Sequence, residues 1–299
     1  MNRIGMLVVV VCLGACSGGG GSGGGGGSAT GGGSASGGGS ASGGGSASGG
    51  GSATGGGSAS GKGGSVSVSQ IDNSPNVFRS ASAGFYPSGA PVPVGGLSCT
   101  FSTVGGCQVG DCISDGGIPT FDGGAPVSAG DVTVQVGSTA VVSLQRSAVT
   151  GQYNAGGSGS WWTGGETVTM TATGDAAGAP AFSGTVTAPT ALVVSQPAAG
   201  NYTFTRDDVV NVSWTAGQGT VQVLVTSGML VGGHSVQATC SGDASAGSLA
   251  IPSSVTHLLL PGNGLLQISN TERTPLTAGD WEITLNATST AAARTLTVQ

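Results

Sequence analysis

From residue 131 onward, apolar and polar side chains alternate one for one in short runs, each closed by glycine. Asp131-Val132-Thr133-Val134-Gln135-Val136 is followed, past a Gly-Ser turn, by Thr139 to Leu144, and Glu166 to Thr173 repeats the pattern. Neighbouring residues of a strand point to opposite faces, so a period of two makes a half-buried strand and leaves no apolar stripe for a helix. Runs of this length separated by glycine-rich turns fold as antiparallel sandwiches. No long amphipathic helical pattern competes with that reading. One helical turn is expected between Pro252 and Leu260, with Ser253 as a candidate cap.

The signal strengthens after Thr185-Val186-Thr187-Ala188-Pro189-Thr190, which reads as a join. Val209 to Trp214, Val221 to Val225, Ser235 to Cys240, Leu265 to Ile268, Trp281 to Leu285 and Thr295 to Val298 are the clearest later strands. Val209 to Trp214 followed by Thr215-Ala216-Gly217 resembles an early strand of fibronectin type III domains, which implies that Trp214 packs in a core. The expectation for residues 77–188 and 189–299 is two Ig-like antiparallel β-sandwich domains, preceded by an extended lead-in over 65–76.

Ahead of the lead-in, a six-residue unit, Gly-Gly-Gly-Ser-Ala-Ser or Gly-Gly-Gly-Ser-Ala-Thr, recurs six times from Gly25 to Ser60. Such a segment has no apolar area to bury, and glycine loses the most entropy on ordering, so a disordered tether is expected. Residues 17 to 64 would span roughly 35–42 Å as a coil and about 160 Å when pulled straight. A spacer that lifts a folded head off a surface and a repeat expansion without a role both predict that disorder.

Before the repeats, Met1-Asn2-Arg3 and the apolar stretch Ile4 to Leu13 lead into Leu13-Gly14-Ala15-Cys16. This resembles the lipobox of bacterial lipoproteins, which implies a signal peptide over 1–15, cleavage before Cys16 and acylation of that cysteine. Multiple acyl chains make a stable membrane anchor. Ser17, rather than an aspartate, then resembles an outer-membrane sorting signal. The expectation is a cell-envelope lipoprotein of the outer membrane with residues 16–64 as lipidated cysteine and Gly/Ser-rich N-terminal tether, its head exposed at the surface. The layout, with Gly247-Ser248-Leu249-Ala250-Ile251-Pro252 and Leu258-Leu259-Leu260-Pro261, also resembles surface lipoproteins of myxobacteria; that resemblance implies location and architecture and brings no activity.

Export agrees with the cysteines. With Cys12 removed and Cys16 acylated, Cys99, Cys107, Cys112 and Cys240 remain, and four cysteines allow three pairings. Structural disulfides are the expected use, because Cys107 to Cys112 lacks the Cys-x-x-Cys spacing of a metal site. If two bridges form, one joins Cys240 to the 99–112 stretch. From Ser65 onward five arginines face all 13 acidic residues, a net of −8. No basic patch neutralises phosphates, so nucleic acid is not an expected partner.

Catalytic signatures are missing from the sequence. Lys62 is the single lysine and is assigned to the tether, so the head has no Schiff-base, Ser-Lys or phosphate-loop lysine. His234 and His257 are the candidate bases, without a Gly-x-Ser-x-Gly or His-Glu-x-x-His context. Most carboxylates adjoin glycines at turns. A calcium loop from Asp111, Asp115, Asp122 and Asp131 is the alternative considered, but its spacing matches no EF-hand. No catalytic residue, metal or cofactor is therefore expected.

Trp161-Trp162, framed by Gly156-Gly157-Ser158-Gly159-Ser160 and Thr163-Gly164-Gly165, is the candidate ligand site, with Tyr153 and Asn154 as nearby hydrogen-bonding partners. In a loop, flat rings can hold apolar sugar faces; in a strand, one ring fills the core and the other seals an edge. The functional expectation is a non-enzymatic head for adhesion or for binding matrix or glycan. A structural subunit of an envelope complex, with a protein partner, is the alternative.

Overall fold

Among the described residues, alternating segments become twenty strands around two separate apolar cores. The computed structural model describes residues 61–73, 76–87, 92–94, 98–113, 120–122, 125–215, 217–228, 233–291 and 293–299. The expected signal peptide over 1–15, Cys16 and the repeats assigned to a tether lie outside them, as does Asp115.

The first strands are β1 (Lys62–Asn73), β2 (Asn76–Tyr86), β3 (Val92–Val94), β4 (Ser98–Val104), β5 (Cys107–Ile113), β6 (Thr120–Asp122) and β7 (Val132–Val136). Next come β8 (Thr139–Arg146), β9 (Tyr153–Ser158), β10 (Thr167–Ala172), β11 (Phe182–Thr187), β12 (Val194–Gln196), β13 (Asn201–Phe204) and β14 (Val210–Trp214). The chain ends with β15 (Thr220–Gly228), β16 (His234–Asp243), β17 (Ser248–Ile251), the helical turn α1 (Ser253–Thr256), β18 (Gly262–Ala278), β19 (Trp281–Thr290) and β20 (Arg294–Val298). The protein is all-β. Pro252, not Ser253, occupies the cap position of α1, without a side-chain capping bond.

One sheet runs through the molecule in the order β11-β10-β7-β8-β9-β2-β1-β19-β18-β15-β16-β5-β4, with β20 and β13 attached beside β18. Around the first core it folds on itself. β8 meets β9 at only two register pairs, Gln145↔Asn154 and Arg146↔Tyr153, and this short seam joins two facing layers. Val134, Met170 and Phe182 from one layer pack in the same core as Val66, Phe85 and Leu285 from the other. The layers approach closely at Gly184 of β11, where a β-carbon would lie 2.6 Å from Leu285 Cδ1.

The second core lies between the small sheet β12-β14-β17 and the far end of the long sheet, a sandwich in which β13 runs parallel to β20. Trp214 is buried there, as expected of its strand, and its Nε1–H donates to the Ala244 carbonyl at 2.9 Å.

The cores do not divide the chain at residue 188. Val66 and Val68 of the expected lead-in, and Trp281 to Ala287 of the expected second domain, complete the first core. Cys107 and Val109 of the expected first domain enter the second. Length explains the exchange: β18 has 17 residues, about 55 Å at strand rise. It pairs with β15 and β20 at one end and with β19 at the other. β1 begins beside the β18–β19 turn, Lys62 opposite Trp281, and runs parallel to β19 as far as Ile71↔Thr290. Lys62 is therefore a strand residue, paired with Asp280 at 2.9 Å, rather than part of a tether.

Candidate functional site

Between the cores the inward-facing positions change from apolar to polar. On β1 the inward series Val66, Val68 continues to Gln70; on β19 Ile283, Leu285, Ala287 continues to Ser289; on β18 Leu266, Ile268 continues to Asn270. Register places Gln70 opposite Ser289, and Ser289 opposite Asn270, so the three form a buried row across adjacent strands. The row grips the segment that crosses from one core to the other. Ser289 Oγ donates to the Pro189 carbonyl at 3.1 Å, and Asn270 Nδ2 donates to the Thr190 carbonyl at 3.1 Å. Asn270 Oδ1 is buried without a hydrogen-bond partner among the described residues.

Gln70 also organises the tryptophan loop. Its Oε1 accepts from Ser160 Oγ–H at 3.1 Å and from the Trp161 and Trp162 backbone N–H groups at 3.2 and 3.5 Å. Its Nε2 donates to the Trp162 carbonyl at 3.2 Å. The other end of the loop is closed by Glu166, which accepts from Thr163 N–H and Oγ–H at 2.8 Å and from Gly164 N–H at 2.7 Å. Burial alone would raise the Glu166 pKa; the Thr163 and Gly164 donors outweigh it and hold the carboxyl at about 2.

This loop takes the two tryptophans inward. Trp162 is 3 % exposed, lies in the first core and donates its Nε1–H to Ser289 Oγ at 2.9 Å. Trp161 is half-buried against the same core, its ring 6.2 Å from that of Trp162. The Arg79 guanidinium lies over the Trp161 ring at 5.6 Å, and the Trp161 Nε1 is buried without a hydrogen-bond partner among the described residues. Tyr153 is 2 % exposed, donates to the Gly130 carbonyl and accepts from Ala129 N–H, each at 2.9 Å. Asn154 is exposed on the opposite face of β9. The four candidate ligand residues thus do not share one surface. Trp161 and Trp162 belong to the seal between the cores, Tyr153 to the core, and Asn154 to the outer face.

The cysteines pair as Cys99–Cys112, between β4 and β5, and Cys107–Cys240, between β5 and β16. The second bridge carries the long connection, across 133 residues.

Each histidine ring meets one aspartate: His234 Nε2 lies 2.6 Å from Asp111 Oδ1, and His257 Nδ1 lies 2.6 Å from Asp207 Oδ1. Asp207 holds φ at 75°, the left-handed region that aspartate tolerates better than most residues. Arg206 donates to the His257 carbonyl through Nε and Nη2. Both pairs are well exposed to water, where such contacts contribute little stability. Among the described residues no three His, Cys, Asp or Glu side chains converge as a metal site. Asp111 of the calcium alternative is engaged with His234 instead. A cavity of about 170 Å³ lined by Thr220, Gln222, Thr271, Glu272 and Arg273 opens on the sheet at the second core.

Gln70, Ser289, Asn270 and Arg79 carry most of this arrangement, and sequence reasoning passed over all four. The available signal is phase: the first three are polar residues at positions where the alternation on their own strands demands apolar ones. No protein-family model and no curated protein matches the chain.

Proposed function

We propose that this chain is a lipid-anchored envelope protein whose head binds a surface or matrix component without catalysing a reaction. The supporting observation is where β1 begins. Lys62 lies beside the β18–β19 turn, at the end of the first core remote from the second. From that end β18 runs toward the second core as a strut. Fixing the two halves through Gln70, Ser289 and Asn270 suits a head that must project as one stiff body. The aromatic pair works inside that body, so the contact surface for a macromolecular partner is sought on the second half rather than on the Trp161–Trp162 loop.

Protease shaving of intact cells, comparing the wild type with Cys16→Ala by immunoblot, tests this reading. The expected result is a cell-bound protein stripped from outside, and release of the Cys16→Ala chain. A cell-bound protein protected from protease would place the head in the periplasm and remove adhesion from consideration. Release of the wild type would remove the anchor itself.

A further inference from the structure

The long sheet ends at β4, and the character of that edge carries an inference independent of the anchor. β4 pairs with β5 and with no other strand among the described residues. Ser98, Thr100, Phe101, Ser102 and Thr103 are all exposed, so neither face of the strand is covered along its middle. Sheet proteins ordinarily blunt such an edge with lysine, proline, a bulge or a covering segment. Ser98-Cys99-Thr100-Phe101-Ser102-Thr103-Val104 has no charge, no proline and an unbroken register with β5.

The disulfide shows which main-chain groups point outward. The Cα atoms of Cys99 and Cys112 are 4.1 Å apart. That distance belongs to the non-hydrogen-bonded pairs of an antiparallel ladder, whose N–H and C=O groups point away from the partner strand. Pairs alternate along the ladder, so Cys99, Phe101 and Thr103 all turn their N–H and C=O groups to the open edge. The Cys107–Cys240 pair, at 4.3 Å on the other side of β5, has the matching phase.

We infer that β4 pairs with β4 of a second copy of this chain, antiparallel about a twofold axis at Phe101, making one sheet across two molecules. The outward triplet is self-complementary under that operation. Phe101 meets its own copy, Cys99 meets Thr103 of the copy, and the seam contains about six main-chain hydrogen bonds. Much of the ordering is done beforehand. A disulfide ties β4 to β5, and Phe101 lies across Gly110, where a β-carbon would sit 2.8 Å from its ring.

Charge permits the contact although both heads are acidic. No charged residue lies on β4, and the nearest in register is Asp111, opposite Thr100 and already paired with His234. Across the seam the two Asp111 side chains would stand three strand spacings apart, about 14 Å, beyond the screening length of about 8 Å at physiological salt. A second copy is favoured over a foreign peptide because the outward triplet of the edge is complementary to itself. A seven-residue seam buries less than the roughly 1,000 Å² of a stable interface, so the dimer is weak and forms at high local density.

Sedimentation equilibrium of the full chain carrying Cys16→Ser, which excludes association through acyl groups, tests the proposal between about 1 µM and 1 mM, the range for a small interface. The weight-average mass is expected to rise toward twice the monomer mass. Thr103→Pro removes an outward N–H and spares the ladder to β5, so it should weaken association at least about tenfold, a threshold well above error. Thr103→Lys, which puts a charge on the seam and keeps the backbone intact, should do the same if the proline variant misfolds. Hydrogen exchange gives a residue-level check: Cys99, Phe101 and Thr103 amides gain protection with concentration, while Thr100 and Ser102 are protected throughout. A chain monomeric at 1 mM, or a dimer indifferent to both Thr103 variants, overturns the inference.

Discussion

The Gln70 amide holds one hydroxyl, two backbone N–H groups and a carbonyl of the tryptophan loop in place, at 6 % exposure. Replacing it leaves the backbone N–H groups of Trp161 and Trp162, the first part-buried and the second buried, without this acceptor, a penalty of about 1–3 kcal/mol for each one left unsatisfied. Gln70→Ala is therefore expected to lower stability by about 2–4 kcal/mol in urea denaturation, and Ser65→Ala, at an exposed site on the same strand, by little. Trp162→Ala should cost about 3–5 kcal/mol, as for other buried aromatics, with a smaller loss for Trp161→Ala. Binding losses in a Trp161/Trp162 double variant would then report unfolding, whereas Asn154→Ala probes the surface alone. Glu166 adds a pH signature. Its folded pKa is lowered from 4.5 to about 2, so its contribution is present above pH 4.5 and disappears as pH falls to 2. The difference in urea midpoint between wild type and Glu166→Gln should shrink across that window, and a constant difference would contradict the assigned role.

At the level of elements, the strands legible in the sequence are those whose alternation is complete. Val132–Val136, Thr167–Ala172 and Val210–Trp214 lie within one or two residues of their expected runs. In the sequence β1 divides between tether and lead-in, because its Ser65-Val66-Ser67-Val68 motif follows directly on a Gly/Ser composition and its partner β19 lies more than 200 positions away. The outer half of β18 was hidden by Pro275, a residue that argues against a strand interior. It is tolerated because that half of β18 pairs with β19 on one side while β15 stops at Thr271, leaving the proline without a ladder bond to make on the far side. Cysteine pairing was open in the sequence because only register decides it. On loop-closure entropy, losing Cys107–Cys240, which spans 133 residues, should cost about 5 kcal/mol, and losing Cys99–Cys112, which spans 13, about 3 kcal/mol. Chemical denaturation of the paired Cys→Ala variants measures both, and equal losses would contradict that account.

Over the whole molecule, β18 and the Gln70–Ser289–Asn270 row make the two cores depend on each other. Melting either core frees strands that line the other, so calorimetry should show a single unfolding transition with equal van't Hoff and calorimetric enthalpies. Two resolved transitions would mean that the crossing segment uncouples them. The central position of β1 has a mechanical consequence for a head loaded through that strand. Ten register pairs to β19 and eleven to β2 flank it, beginning at Lys62 and Gly63 respectively. Force arriving at Lys62 while the second core is held acts along the strand axis, against both ladders at once. Such loading shears many rungs together, where a pull across the strand would open them singly like a zip, so the head should yield at higher force from this end than from its own C-terminus.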